Sequence, residues 1–528
     1  MFDAEKQERT DIEIGISQES SISSIIFLIY IRFLFIERKI KDIRTPSYID
    51  DLGLFTSSKS IRKNCKDLKA AMKEILSFQD SHLIQFDMEK TELIHFFPSA
   101  TERNESIELN DGTIIKPKAC VRWLGIWLDS KLKFRTHIKK KLSQAEAVLN
   151  NIIRLSNTER GLSFQAMRQL YMACITSIAD YGVQCWWNNQ KNYLEKYQSL
   201  QNKALRKILD AFKTLKIISM ELEAALPPSE VRFEKACQKY ALRMLHMNEK
   251  HIIKQRISFF FSENENETEL NWRKYLDWNE YESENSTKVY PSQLYKICSK
   301  IKEHIPSLNV ENINHQFIYS QKKTVDKMID VNISLLSKEE ETHEHLKNIN
   351  QLISQDNQMI IYTDGLKISE SEDCEAELAH SKDNKLYFLN YWNIDSSCEV
   401  FDAELFAIRK AFDMIQLHVK KNSRIKNFTI YSDSQAALKR LKENNLSAGQ
   451  TEMDKIIQII QRIHEKNRDI SISINWVPAH MNIKENELAD KAAKIGTKTK
   501  AYSQDKTVSL SFIKRNIKLN CLNKWTEI

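Results

Sequence analysis

Two adjacent carboxylates, Asp50 and Asp51, stand in the stretch SYIDDLGLF from Ser47 to Phe55, and four widely spaced acids, Asp364, Glu404, Asp433 and Asp490, follow in the C-terminal third. Neighbouring carboxylates repel and raise each other's pKa unless a cation sits between them, so the pair is either a solvated turn or a metal site. The same choice faces the distant four. Hard divalent cations take oxygen ligands, and two of them held about 3.5–4 Å apart stabilise both the attacking and the leaving oxygen of an in-line phosphodiester displacement. Each acid also has an ordinary role open to it. Asp364 can begin a turn with Gly365, Glu404 can favour a helix N-terminus electrostatically, and Asp433 can cap a helix beginning at Ser434.

The elements that must position these acids are legible as patterns. Asp364 ends the strand-like IIYTD and Asp433 ends FTIYSD, so the two share a sheet edge if those strands are neighbours. Glu404 falls in the first turn of the helix VFDAELFAIRKAF, Asp490 lies on the helix NELADKAAK, and His480 sits in the loop after SISINWV. Strand MIIYTDGL, strands ELAHS and KLYFLNYW, a helix, strand FTIYSD, two helices, strand SISINWV and a helix from Glu485 predict an α/β domain with a mixed sheet. Further upstream, SYIDDLGLF reads as β-like, SIRKNCKDLKAAMKEILSFQD as a helix, and KTELIHFF and VRWLGIWLD as strands. From His137 to about Leu245 the pattern is long amphipathic helices with basic faces. The acidic, Asn-rich stretch between about Phe259 and Lys288 suits a loop or interdomain insertion, and a second polar stretch, SKEEETHEHLKNINQLISQDNQ, precedes the last domain.

At 528 residues, 42% hydrophobic and 28% charged, the chain can hold several domains with real cores. A net charge of +7 suits a polyanionic partner without requiring one. The nine cysteines form no Cys-x-x-Cys pair and no regular spacing, which argues against a disulfide framework or a cysteine zinc site and for reduced thiols in an intracellular protein. The apolar run Ile22 to Ile36 carries Arg32 and is shorter than the roughly 20 residues of a membrane span, so it is expected to be a buried helix. No signal peptide or transmembrane segment is expected, and the nucleus is a compatible compartment.

The motifs YTDG, AELFAI, IYSDSQAAL and WVPAHMNIKENELAD occur over residues 356–497 in an order and spacing that resembles the type 1 ribonuclease H family. That resemblance implies a mixed five-stranded sheet with flanking helices. It also implies endonucleolytic cleavage of the RNA strand of RNA–DNA hybrids, with Asp364, Glu404, Asp433 and Asp490 holding two magnesium ions, for which manganese can substitute. His480 matches the family's mobile histidine, associated with proton transfer or product release. Ala479 and Glu485 replace commoner glycines, and Leu366 replaces the usual serine after TDG, but no ligand is lost. No separate basic helix lies between QAALKRLKEN and TEMDKIIQIIQRIHEK, so the basic helices of residues 137–245 are the expected substrate handle.

With that domain in place, SYIDDLGLF resembles the Tyr-x-Asp-Asp turn of reverse transcriptases from retrotransposons lacking long terminal repeats. GISQESSISSIIFLIYI resembles the family's glycine–glutamine helix start, FDMEKTELIHF its Lys-Thr segment with Lys90, and RWLGIWLD the strand turn that positions a primer end. The resemblance implies that Asp50 and Asp51 are metal ligands of a polymerase palm and that Lys90 belongs to the same vestigial site. Before Gly15 stands only MFDAEKQERTDIEI, without the motif that carries the family's further aspartate, and Ser17, Glu19, Ser21 and Ser24 replace proline, glycine, proline and proline. Polymerase activity is therefore not expected unless upstream sequence completes the site. The expected organisation is a truncated palm over 1–135, a helical thumb and connection over 136–258, a connection and polar linker over 259–355, the ribonuclease H domain over 356–497 and a tail over 498–528. Nothing in the sequence speaks to oligomeric state.

Overall fold

The computed structural model describes residues 22–36, 43–97, 104–155, 161–245, 328–353, 357–367, 374–382, 385–479 and 508–527, apart from positions 59, 83, 335, 395, 422, 423 and 444–446, together with the single residues 20, 247, 251, 253, 297, 311 and 481. They form two compact units: residues 1–182 with 202–211, and residues 183–201 with 212–528.

In the first unit, helix α1 (Ser23–Ile36) is followed by a minimal hairpin of β1 (Ser47–Tyr48) and β2 (Asp51–Leu52), then helix α2 (Ile61–His82). The apolar run forms the expected helix, but it is not buried as expected. Ile31 and Leu34 pack on Ile75 and Phe78 of α2, while Ile25, Ile29 and Phe33 are 57%, 62% and 48% exposed. The run is apolar all round, and α2 covers only one stripe of it. KTELIHFF, expected as a strand, contributes a single bridge between Leu93 and Pro117. Proline has no N–H to donate, so no ladder grows from that bridge. A pair of two-residue strands, β3 (Ile107–Glu108) and β4 (Ile114–Ile115), precedes the hairpin of VRWLGIWLD, which forms as expected from β5 (Cys120–Trp123) and β6 (Ile126–Asp129). Leu124 and Gly125 turn it with φ of 47° and 77°, the left-handed pairing that matches strand twist. Helix α3 (Arg135–Ile153) and a helical run over 164–179, here α4, complete the unit. Buried His137 ties them to the hairpin: its Nδ1 accepts from Trp127 N–H at 3.3 Å and its Nε2 faces the Tyr181 carbonyl at 3.0 Å.

The second unit holds a helical module and the α/β domain. The short α5 (Val183–Trp186), part of α6 (Lys191–Ile208), α7 (Ile217–Glu223) and α8 (Ser229–Leu245) pack around Trp186, Trp187, Tyr197 and Phe233, whose rings meet at 5.0–6.3 Å. The sheet follows, with β7 (Asp330–Asn332), helix α9 (Lys338–Ile353), β8 (Gln358–Lys367), β9 (Cys374–Lys382), β10 (Lys385–Asn393), helix α10 (Val400–Lys420), β11 (Asn427–Ser432), helices α11 (Gln435–Lys442) and α12 (Gln450–Lys466), β12 (Ser471–Trp476) and the C-terminal helix α13 (Leu510–Glu527).

All five expected strands form, but the sheet has six, in the order β10-β9-β8-β11-β12-β7. The addition is β7, which pairs parallel with β12 at the edge and comes from the stretch expected to be linker. β8, β9 and β10 are an antiparallel meander, and β11 and β12 add parallel to β8. Helix α10 reads Leu405, Ile408, Phe412, Ile415 and Val419 at helical spacing, and this stripe meets Met359 and Ile361 of β8 and the isoleucines of α12 in one core. Alternate residues Ile360 and Tyr362 face the other side, where Tyr431, Val477 and the α9 residues Ile349 and Leu352 cover them. His345 of α9 is buried there against Tyr431, 4.6 Å between rings, and burial pushes its pKa down to about 4.

Candidate metal centre

β8 and β11 are parallel and in register, with Thr363 opposite Ser432, so the residues that follow, Asp364 within β8 and Asp433 just past the end of β11, stand side by side. The Thr363 hydroxyl donates to the Tyr431 carbonyl at 3.2 Å and helps fix that register. Asp364 does not end its strand, as the pattern suggested. β8 runs on to Lys367, with Asp364 paired opposite Glu377 of β9, so the turn with Gly365 does not form. Asp433 is not the helix cap either, because Ser434 Oγ accepts from Ala437 N–H at 3.3 Å and caps α11. The indole N–H of Trp476 on β12 donates to the Asp433 carbonyl at 3.0 Å and holds that residue's backbone from the neighbouring strand.

Glu404 comes from α10. The helix starts at Val400, so Glu404 lies one turn deeper than the first-turn position expected of it, away from the exposed N-terminal N–H groups. Gly365 is what allows the approach. A Cβ there would sit 2.4 Å from Glu404 N and 2.8 Å from the Ala403 carbonyl carbon, so strand and helix backbones touch where the two carboxylates meet. Neither Trp476 nor Gly365 stands out by residue type. The signal available was their position, Gly365 directly after Asp364 and Trp476 at the end of the strand beside β11.

Asp364, Glu404 and Asp433 each offer a ligand oxygen, and these atoms all lie within 4.8 Å of one another. Asp364 and Glu404 are buried, 8% and 6% exposed, and Glu404 Oε2 has no hydrogen-bond partner. Burial, then the neighbouring charges of Asp364 and Asp433, push the Glu404 carboxyl well above the usual carboxylate range. A buried, unpartnered acceptor aimed among like charges is what a divalent cation would satisfy, and an all-oxygen donor set fits a hard one. His480 and Asp490 lie outside the described residues.

The other aspartate pair is built differently. Asp50 and Asp51 are both exposed on the β1–β2 hairpin, and Ile49 in its turn has φ 52°, a region that costs a β-branched residue roughly 1–2 kcal/mol. Lys90 is exposed too, with its Nζ 2.7 Å from Asp87. Among the described residues, the trio of Asp364, Glu404 and Asp433 is the one group of three or more metal-capable side chains, and neither Asp50 nor Asp51 joins it.

The family model described as RNase H matches residues 356–498. Those residues are an RNase H domain. The chain is also homologous to reverse transcriptases of Drosophila non-LTR retrotransposons. It is 25% identical over 203 residues to the probable RNA-directed DNA polymerase from transposon BS of Drosophila melanogaster, covering 38% of this chain and 22% of that protein. It is 25% identical over 209 residues to the RNA-directed DNA polymerase from mobile element jockey of the same species, covering 39% and 23%. The match thus spans under a quarter of the length of these curated relatives. Among solved structures, an RNase H1 isolated from compost and crystallised with an RNA/DNA hybrid is 17% identical, covering 26% of this chain and 97% of that one with a TM-score of 0.22. The carboxylate trio thus lies inside the RNase H domain, and no described helix is long and apolar enough to cross a membrane.

Proposed function

We propose that this chain hydrolyses the RNA strand of RNA–DNA hybrids endonucleolytically, as a type 1 ribonuclease H, at the site formed by Asp364, Glu404 and Asp433, with Asp490 as a fourth ligand. The observation that carries this reading is the trio of carboxylates, two buried and one half-buried, with Glu404 Oε2 unpartnered. Two magnesium ions, once bound, would supply an activated water and charge stabilisation at the leaving 3′-oxygen. The chain's part is to hold three carboxylates at one sheet edge, dry on the Glu404 side, so that the acceptors are aimed before substrate arrives. The phosphorus–O3′ bond breaks, water's oxygen joins the phosphorus, and its protons pass to solvent and to the departing 3′-oxygen, for which His480 is the proposed relay. The products carry 5′-phosphate and 3′-hydroxyl ends. The hybrid is read through its shape and its 2′-hydroxyls, with little base preference.

The upstream regions keep their proposed roles as a palm segment (1–135), a helical thumb and connection (136–258) and a connecting segment (259–355), with 498–528 following the RNase H domain. Magnesium-dependent cleavage of a labelled hybrid by the purified chain tests the reading. Asp433→Asn removes a charge and little volume, and should reduce cleavage at least about a thousandfold, about 4 kcal/mol, while hybrid binding remains. A variant that cuts as fast as the parent overturns the site.

A second reading is favoured by the relatives' own names: an RNA-directed DNA polymerase that works when further sequence completes the palm. The exposed Asp50–Asp51 hairpin and the serine and glutamate substitutions at Ser17, Glu19, Ser21 and Ser24 weigh against synthesis by this chain alone.

A further inference from the structure

Helix α13 follows the segment matched by the RNase H family, yet its first turns are built into the frame that carries Glu404. Glu399, the residue before α10, sits between two cations from different elements. Arg515 of α13 donates through Nη1 to both of its carboxylate oxygens, at 3.2 and 3.1 Å. Lys367, at the end of the strand that carries Asp364, places Nζ 3.8 Å from the same carboxylate, and its side chain is only 5% exposed. Lys367 also donates to the Cys398 and Ser396 carbonyls at 2.7 and 3.3 Å, so the segment leading into α10 is pinned to the catalytic strand.

Ser509, just before α13, adds two more ties. Its N–H donates to the Ser397 carbonyl at 3.3 Å, and its side chain bonds buried Asp402, which accepts from Glu399 N–H at 2.9 Å. Buried Glu311 then accepts from Leu510 N–H and Thr451 N–H, both at 3.1 Å, joining the starts of α13 and α12. The outer part of α13 is anchored as well, with Ile513, Ile517 and Cys521 buried and Cys521 Sγ 3.9 Å from Gln238 of α8. The N-terminus of α10 is thus clamped from both sides. Glu404 stands five residues beyond Glu399 on a rigid helix and makes no hydrogen bond of its own through Oε2.

From this we infer that α13 is a positioning element of the metal centre, and that Arg515, acting through Glu399, fixes the rotation and depth of α10 and so the aim of Glu404. The inference rests on the hydrolytic reading above and adds a residue outside the family-matched segment to it. Arg515 acts through Glu399, which stands before the helix that carries Glu404. Its effect should resemble that of an outer partner of a metal ligand, whose loss weakens metal affinity or activity about 10- to 100-fold.

The test uses the full chain with Arg515→Ala and Arg515→Lys. Mn2+ binding is measured by calorimetry without hybrid, kcat and KM are measured on a hybrid, and Tm is measured for each protein. Arg515→Ala should weaken Mn2+ binding about tenfold and lower kcat at limiting metal, with KM unchanged, recovery at high metal, and partial rescue by Arg515→Lys. Unchanged Mn2+ affinity and kcat in folded Arg515→Ala overturns the inference, as does a loss that tracks Tm alone with no change in metal dependence. If the parent binds Mn2+ but does not cut hybrid, the hydrolytic reading fails while the binding arm still decides the role of Arg515. If the parent does not bind Mn2+, both fail.

Discussion

Asp364 and Asp433 stand on two parallel strands in register, one within its strand and one just past its end, and meet Glu404 from a buried helix, whereas Asp50 and Asp51 are neighbours in sequence on a hairpin whose strands are two residues long and whose carboxylates face water. Adjacency in sequence brings charge together without removing solvent, and solvent screens the repulsion. Convergence from separate buried elements removes water as well. Burial first, and then the repulsion of Asp364 and Asp433, raises the Glu404 pKa and leaves an acceptor with no donor, which a proton or a cation relieves. The difference between the two regions is one of burial and support, and it can be tested from either side.

The largest effect is expected from Glu404→Gln, which should abolish cleavage to about the same thousandfold extent as the aspartate substitution. It should also change how stability depends on pH in the absence of metal. The folded-state pKa of Glu404 is raised, so the folded protein keeps a proton that the unfolded chain releases above about 4.3. The associated stability is full below the unfolded value and is lost as pH rises through the raised one. Asp402, raised to about 7 mainly by burial, and Glu311 contribute in the same direction in both proteins. The unfolding temperature in chelator should therefore fall more steeply as pH rises above about 4.3 in the parent than in Glu404→Gln. Magnesium should raise the parent's Tm at the alkaline end and leave that of the variant nearly unchanged. Identical slopes would mean that Glu404 is not the group under strain.

A smaller effect separates position from charge. Gly365→Ala keeps every carboxylate but drives a methyl into the Glu404 backbone, so β8 and α10 must part. Stability should fall by about 1–3 kcal/mol in urea titrations and kcat by about a hundredfold. If kcat survives, the close approach at Gly365 does not set the site. The smallest effect belongs to the exposed pair. Asp50→Asn should leave hybrid cleavage within error of the parent, and neither protein should extend a primer on an RNA template. Robust extension that disappears on substitution would restore the hairpin as a working metal site.

Period and length in the sequence determined the strands of FTIYSD and SISINWV, the helix that carries Glu404, and the identity of the acids, because alternation and helical spacing are local properties and carboxylates are scarce choices for buried positions. The same rules misjudged α1, where an apolar run guaranteed a helix but could not supply partners for all its sides, and KTELIHFF, where pairing ended at a proline in another segment. They also read residues 330–353 as linker, although a strand and a helix from that stretch complete the sheet and cover its second face, and helix α13 as tail.

What only the tertiary structure decided is the set of contacts between residues far apart in the chain. The register of Thr363 with Ser432, the Gly365 backbone against Glu404, the Trp476 indole on the Asp433 carbonyl and the grip of Arg515 on Glu399 each join segments with no local reason to meet. A sequence can state which groups carry the charge. Their pKa, their distance and their need for a cation arise when packing excludes water between them, and packing is a property of the folded chain.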